Sequence, residues 1–571
     1  MRRTAYLSFV VLILALCGLS AWAQAPAAPA QAEPAPPAAA VAAAPAMDAP
    51  LNLDGAGVAS AEEMAKGDPS GEKTGNARDV TASDSKKGVT LTDLVNQAGQ
   101  NKIAINFIWT LVCGFLVMFM QAGFATVETG LCRAKNANHT MMMNFMVYGF
   151  GLFAYWVCGF AIQMGGVGAV ANLGGTPTIT SEYAITFLGK TWGLFGTKGF
   201  FLSGTYDVGV MVLFLFQMVF MDTALTIVTG SAAERWKFSA FMVQSVIMGA
   251  VLYPLFGNWA WGGGWLSQLG ANFNLGHGYV DFAGSGVVHS VGAITALGTA
   301  MIVGPRIGKY NRDGSPNAVP GHDLVIVMLG CFILAFGWFG FNPGSTLGAS
   351  GNGGLRIGSV AVNTMLAGCT GSIAAMFYML IRYGKPDSSM TCNGLLAGLV
   401  AITAPCGFVN SVSSAIIGLI AGLLVCVGVE YFDRVAKVDD PVGAIAVHGV
   451  NGLWGVISVG LFADGTSNYG GSWNGVAGGV KGLFYGDPGQ LVAQLIGVGT
   501  LIGVIFPLGY IMALFVHKII GQRVSAEDEL EGLDIPEIGS FAYPEFVLRP
   551  SSAPGGTSPA MKPATSAASG D

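Results

Sequence analysis

The chain has 571 residues, of which 52% are hydrophobic and only 11% charged, with a net charge of −6 and a mean hydropathy of +0.57. That balance is too apolar for an ordinary soluble domain, and no basic block suggests nucleic-acid binding. The nine cysteines show no paired spacing and fall mostly in apolar runs, which reads as small packing residues rather than a disulfide or metal framework.

In chain order, residues 1–23 read as a secretory signal peptide: Arg2 and Arg3, an apolar core, then Ala21-Trp22-Ala23 as a cleavage site. An uncleaved first helix is the alternative. Residues 24–100 form an Ala/Pro-rich and then polar spacer that cannot bury a core, expected on the periplasmic side. From 101 to 520, apolar windows long enough to cross about 30 Å of hydrocarbon recur eleven times. They lie near 103–129, 140–164, 207–231, 238–261, 280–303, 323–342, 357–381, 391–409, 412–432, 443–463 and 490–517. Residues 521–571 are a polar tail. The expected fold is an all-α polytopic membrane protein of eleven transmembrane helices.

Lys and Arg set the orientation. If the first span starts outside, the inward loops hold Arg133, Lys135, Arg235, Lys237, Arg306, Lys309, Arg312, Arg382, Lys385, Arg434 and Lys437. The outward loops after the first span hold only Lys190, Lys198, Arg356 and Lys481. Both this bias and the signal peptide place the N-terminus outside and the C-terminus inside a bacterial plasma membrane.

A repeat is visible within the spans. Asp281 precedes His289 by eight residues in DFAGSGVVH, and Asp440 precedes His448 by eight in DDPVGAIAVH. The motifs lie five spans apart and therefore run in opposite senses, as an inverted 5+5 repeat with a final helix requires. Eight helical residues rise about 12 Å, so each Asp sits near one membrane face and each His near the midplane. His139, His277 and His322 fall in loops and His517 ends the last span, so only His289 and His448 lie deep. One deep histidine is commonly satisfied by a neighbouring helix; two at matched repeat positions point to a shared site. A neutral pair can bond nitrogen to nitrogen. Asp281 also has a plain reading as a helix N-cap, a role in which Asn would serve as well.

Aromatic residues gather toward the outer face. Phe216 and Phe220 are four apart on one helix face, Trp261 ends the fourth span, and GWFGFNPGS carries Trp338, Phe341 and Ser345. Singly each reads as core or interfacial; if they converge, they make a cation-binding cage.

These residues carry a family resemblance. GLCRAKN (130–136), AERWKFSA (233–240), DFAGSGVVH, GWFGFNPGS, DDPVGAIAVHG and the tail EGLD make the chain similar to the ammonium transporter (Amt/Rh) family, in its bacterial Amt branch, over about residues 103–545. The resemblance implies no enzyme activity, no cofactor and no metal. It implies a homotrimer with a pore in each subunit that carries NH4+/NH3, and methylammonium, into the cell. By motif matching, Phe216, Phe220, Trp261 and Ser345 would recruit the cation, with Asp281 keeping the mouth attractive to it. Phe220 and Phe341 would gate the path, and His289, His448 and Trp338 would line the lumen. The tail would pack beneath the pores and meet a cytoplasmic PII signalling protein. Two positions depart from the pattern: Gly443 stands where some relatives carry a second Asp, and Ile538 where the tail often has His. An ammonium sensor on the same fold is the alternative, disfavoured by the short Ser/Pro/Ala tail after Glu545. A haem enzyme with His289 and His448 as ligands is disfavoured because no second deep pair exists.

Overall fold

The computed structural model describes residues 82–86, 88–165, 173, 181–205, 207–466 and 471–544. The signal peptide and residues 24–81 of the expected spacer lie outside the described residues, and its last stretch, 91–100, is not spacer but the beginning of the first helix, capped by Thr90. Among the described residues, ten helices are long and apolar enough to cross a membrane: α1 Leu91–Leu131, α2 Ala134–Met164, α3 Val208–Ala232, α4 Phe238–Trp261, α5 Ser285–Val303, α6 Leu324–Thr346, α7 Gly354–Tyr383, α9 Ser411–Ala436, α10 Ile445–Phe462 and α11 Pro488–Ile520. The span expected over 391–409 is α8, Ser388–Thr403, an apolar helix of 16 residues. Its register begins three residues earlier than expected and it ends in turns at the buried Cys406 and Phe408.

Polar caps fix where the helices start. Asp207, Asp323, Asp387, Asn410 and Asp487 each accept a backbone N–H from the first turn of α3, α6, α8, α9 and α11. Two helices are interrupted by prolines. Pro254 and Pro507 cannot donate a backbone N–H, and a wide turn precedes each, at Met248–Leu252 in α4 and Leu501–Ile505 in α11. In α4 the Ala250 carbonyl, four residues before Pro254, accepts from Cys158 Sγ instead.

Helix contacts recur with an offset of five: α1–α3 and α6–α8, α2–α3 and α7–α8, α3–α5 and α8–α10. The two halves meet where α1 crosses α6. That crossing is close because it is made by glycines: a methyl on Gly330 would lie 2.4 Å from Thr126 Oγ1, and one on Gly340 would lie 2.5 Å from the Cys113 carbonyl oxygen. α11 stands outside the repeat and packs on α5 and α10. The long second connection holds a feature not expected from sequence, an antiparallel hairpin of β1 Glu182–Phe187 and β2 Lys190–Gly196. "Outer" below means the hairpin side and "inner" the tail side, following the charge bias.

Candidate pore site

The two histidine helices open in the same way. Asp281 Oδ1 accepts from Gly284 N at 2.8 Å, and Oδ2 accepts from Gly286 N at 2.8 Å and Val287 N at 2.9 Å. In the second half Asp440 Oδ2 accepts from Ile445 N at 2.7 Å, the matched fifth residue, while Oδ1 accepts from Ser231 Oγ at 3.1 Å. Three residues after each Asp stands a glycine with left-handed backbone, Gly284 at φ +116° and Gly443 at φ +77°. Gly443 therefore completes the repeat's own turn, where a side chain would be strained. Asp281 is a cap, and more than a cap: it is 1% exposed, with both oxygens occupied by backbone N–H groups. Its carboxylate is turned into the helix start rather than toward water.

The wide turns Ser285–Ser290 and Ile445–Val450 carry the histidines into the centre. His289 and His448 face each other with Nδ1 to Nδ1 at 3.2 Å and rings stacked at 5.2 Å. One Nδ1 must donate and the other accept, so the neutral pair shares one proton between them. His289 Nε2 is buried and has no hydrogen-bond partner among the described residues. On the outer side of His289 lie aromatic rings: Trp338 and Phe341 stack on it, each with centroids at 5.4 Å. Trp338 is held by its Nε1, which donates to Thr403 Oγ1 at 2.9 Å. Phe341 stacks on Phe220 at 4.1 Å and 25°, a contact that leaves no passage between the rings. Phe220 also meets Phe216 at 4.6 Å and Trp261 edge-on at 6.2 Å. Trp261 Nε1 donates to the Asp281 carbonyl, which ties the outer ring to the cap. Ser345 is partly exposed just beyond, with its hydroxyl donating to the Phe341 carbonyl at 2.8 Å. A continuous file thus runs Trp261, Phe220, Phe341, His289, His448.

Sequence reasoning missed three groups. The first is an ion-pair clamp at the inner face. Arg306 pairs in two-pronged fashion with Asp439 (Nε to Oδ2 and Nη2 to Oδ1, both 2.9 Å) and reaches Glu234 at 3.0 Å, which also takes Arg133. Arg235 donates to the Asp439 carbonyl at 2.7 Å. Burial opposes the charge on Asp439, but the Arg235 and Arg306 guanidiniums outweigh it and hold the carboxyl well below the usual carboxylate range. The other two are buried carboxylates, Glu128 on α1 and Asp222 on α3, both inside apolar runs. The rule that singled out the deep histidines, a titratable group within a span, applies equally to FMDTAL and ATVETGL.

The tail docks although Ile538 replaces the expected histidine. Asp534 Oδ1 accepts from His139 N at 2.9 Å, Glu537 Oε2 accepts from Phe238 N at 2.8 Å, and Glu529 Oε1 accepts from Ile307 N at 2.6 Å. His139, expected in a loop, lies buried in the first turns of α2, Phe238 opens α4, and Ile307 lies in the loop after α5.

Helices related by an inverted repeat, with polar groups paired at the interface between the halves, define a multi-pass membrane protein of the transporter class. Residues 108–543 match the family model described as Ammonium Transporter Family, and the chain belongs to that family, whose members are transporters rather than enzymes. Among curated relatives, ammonium transporter Amt2 of Archaeoglobus fulgidus is 46% identical over 78% of this chain and 90% of its own length. Ammonium transporter Amt1 of Haloferax mediterranei is 36% identical over 79% and 82%. Among solved structures, a sensor Amt protein superimposes with a TM-score of 0.66 at 34% identity, covering 77% of this chain and all of that one. Mep2 of Candida albicans gives 0.63 at 27% identity, covering 78% and 92%.

Proposed function

We propose that each subunit carries ammonium inward through the file from Trp261 to His448. The observation that carries this reading is the continuity of the file: a closed pair of rings, Phe220 on Phe341, stacked directly on a buried histidine pair. A bare cation cannot cross hydrocarbon without replacement of its water shell, which costs far more than one contact returns. Phe216, Phe220, Trp261 and the Ser345 hydroxyl oxygen offer the ion aromatic faces and an acceptor while it is still near water, with about 2 kcal/mol for a desolvated cation–π contact. Ring movement at Phe220 and Phe341 admits it. Beyond them the apolar walls favour neutral ammonia, His289 Nε2 supplies the polar partner, and the shared Nδ1 proton offers a path for charge. K+ can neither donate a hydrogen bond nor lose a proton, which would make the path selective; methylammonium retains both abilities.

Family likeness supports a homotrimer in the bacterial plasma membrane, N-terminus outside, with the docked tail available to a PII signalling protein. Asp281 acts here through the cap and Trp261 rather than as an exposed charge. A sensor role on the same fold is the second reading, favoured by the likeness to the sensor Amt structure. Proteoliposomes on a supported membrane, given an ammonium jump, distinguish the two: transport gives a sustained ammonium-specific current, and binding alone gives only a charge displacement that does not depend on the ion gradient.

A further inference from the structure

Directly below His448 is a cavity of 20 Å³, room for one molecule the size of water or ammonia. Its wall includes Phe124, Glu128, Asn393, Val442 and His448. Asn393 and Val442 also line the 190 Å³ inner vestibule that holds Asp440, Arg306 and Lys309, so these two side chains form the neck between the cavity and the inner mouth. Glu128 is 3% exposed. Both of its side-chain hydrogen bonds go to one oxygen: Oε2 accepts from Asn144 Nδ2 at 2.7 Å and from Thr229 Oγ1 at 2.8 Å. Thr226 and Gln121 extend the same network, with Thr226 Oγ1 donating to Asn144 Oδ1 at 2.6 Å and Gln121 Nε2 donating to Thr226 Oγ1 at 2.8 Å. Oε1 lies beside Gly230, where an added methyl would stand 3.2 Å from it and would also strike Val442. Among the described residues Oε1 accepts no hydrogen bond. A buried carboxylate is thus oriented by one oxygen and left open by the other, on the wall of a cavity it shares with the inner histidine.

Resting on the conduction reading above, we propose that Glu128 is the inner acceptor of the pore, where the ammonium ion reforms and is held before release. A proton given up by ammonium on the outer side bonds to His289 Nε2, the shared proton moves to His448 Nδ1, and the N–H bond at His448 Nε2 breaks as an O–H bond forms on the carboxylate, so both imidazoles stay neutral. Ammonia in the cavity then takes that proton: the O–H bond breaks, a fourth N–H bond forms, and the carboxylate returns to its starting state. The ion leaves with one positive charge through the neck of Val442 and Asn393 toward Asp440. Asn144 and Thr229 are positioning residues, since they fix Oε2 and turn Oε1 inward.

The test separates charge movement from ammonia permeation in proteoliposomes. One arm measures ammonium-jump current on a supported membrane; the other measures NH3 influx by stopped-flow alkalinisation of the lumen. Glu128→Gln keeps the size of the side chain and should lower the current by about tenfold or more while NH3 influx falls much less. Glu128→Asp, which keeps a carboxylate, should recover a substantial part of the current. Full current in Glu128→Gln, or an equal fall of current and NH3 influx, overturns the proposal, the second because it is what lost packing produces. If Glu128→Gln does not assemble, Glu128→Asp against Glu128→Asn decides: current in Asp alone supports the acceptor, and equal currents overturn it. A wild-type protein without ammonium current removes the conduction reading itself. Loss of current in His448→Ala with full current in Glu128→Gln removes only the acceptor.

Discussion

The outer and inner ends of the proposed pore are built on one repeated motif and finished in opposite ways. Outside, the Asp281 helix is closed over by carbon: Trp261, Phe220 and Phe341 stack above His289, and the aspartate is spent on backbone N–H groups. Inside, the Asp440 helix opens onto a cavity and a vestibule lined with Asp433, Asp440, Arg306 and Lys309, with the clamp and the tail behind it. On the proposed conduction path, the difference follows from what each end must meet. Aromatic faces can attract a cation and still shut out water, whereas a permeant molecule leaving an apolar lumen needs fixed polar groups to regain charge.

The largest effect should come from the inner clamp. Asp439→Asn removes the carboxylate that pairs with Arg306 and faces Arg235, leaving Glu234 as the remaining partner of Arg306, a loss of about 3–5 kcal/mol, read as a fall in the thermal unfolding midpoint of the purified protein. Because the Asp439 carboxyl is held below its ordinary value, its contribution is fully present at neutral pH. It is lost only as the pH falls through the lowered value, so the wild-type advantage over Asp439→Asn should shrink only in strong acid. An unchanged midpoint would mean that the inner end is not held by ion pairing.

The two capping aspartates sharpen the contrast further. Sequence alone makes Asn an equal cap at Asp281, but both oxygens there receive backbone N–H groups, and an amide nitrogen would face one of those donors. Asp281→Asn should therefore cost about 1–3 kcal/mol. Asp440→Asn should cost less, since the Ser231 hydroxyl can turn and accept from the new amide. Comparison of the two unfolding midpoints checks this; equal shifts would mean the caps are interchangeable.

The smallest change concerns the rings. Phe220→Ala or Phe341→Ala removes a stacking partner worth about 0.5–1.5 kcal/mol, so conduction should change severalfold. Phe339→Ala should do much less, because Phe339 is 36% exposed and outside the file. Equal effects at all three would mark general loosening instead of a gate.

Much of this was legible in the sequence, because a bilayer imposes simple rules. Apolar windows located the helices, Lys and Arg suggested their sense, and the repeated Asp-to-His spacing singled out the pair that the structure brings to 3.2 Å. Convergence of Phe216, Phe220, Trp261 and Phe341 was not readable from spacing, since those residues come from three helices. The clamp was hidden for a related reason: Arg133, Glu234, Arg306 and Asp439 each read as a loop charge until four loops are brought together. Glu128 escaped notice because it sits near the end of a long apolar helix, where a carboxylate is easily assigned to the interface. Only the fold shows that this helix end is buried beneath His448.

The central claim is that the histidine pair is the conducting element, and ammonium-jump current in proteoliposomes tests it most directly. His289→Ala, His448→Ala and the double variant should each fold and reach the membrane, yet lose the ammonium-driven current or its discrimination against K+. Normal, selective ammonium current in all three would make the pair a packing feature and contradict the account.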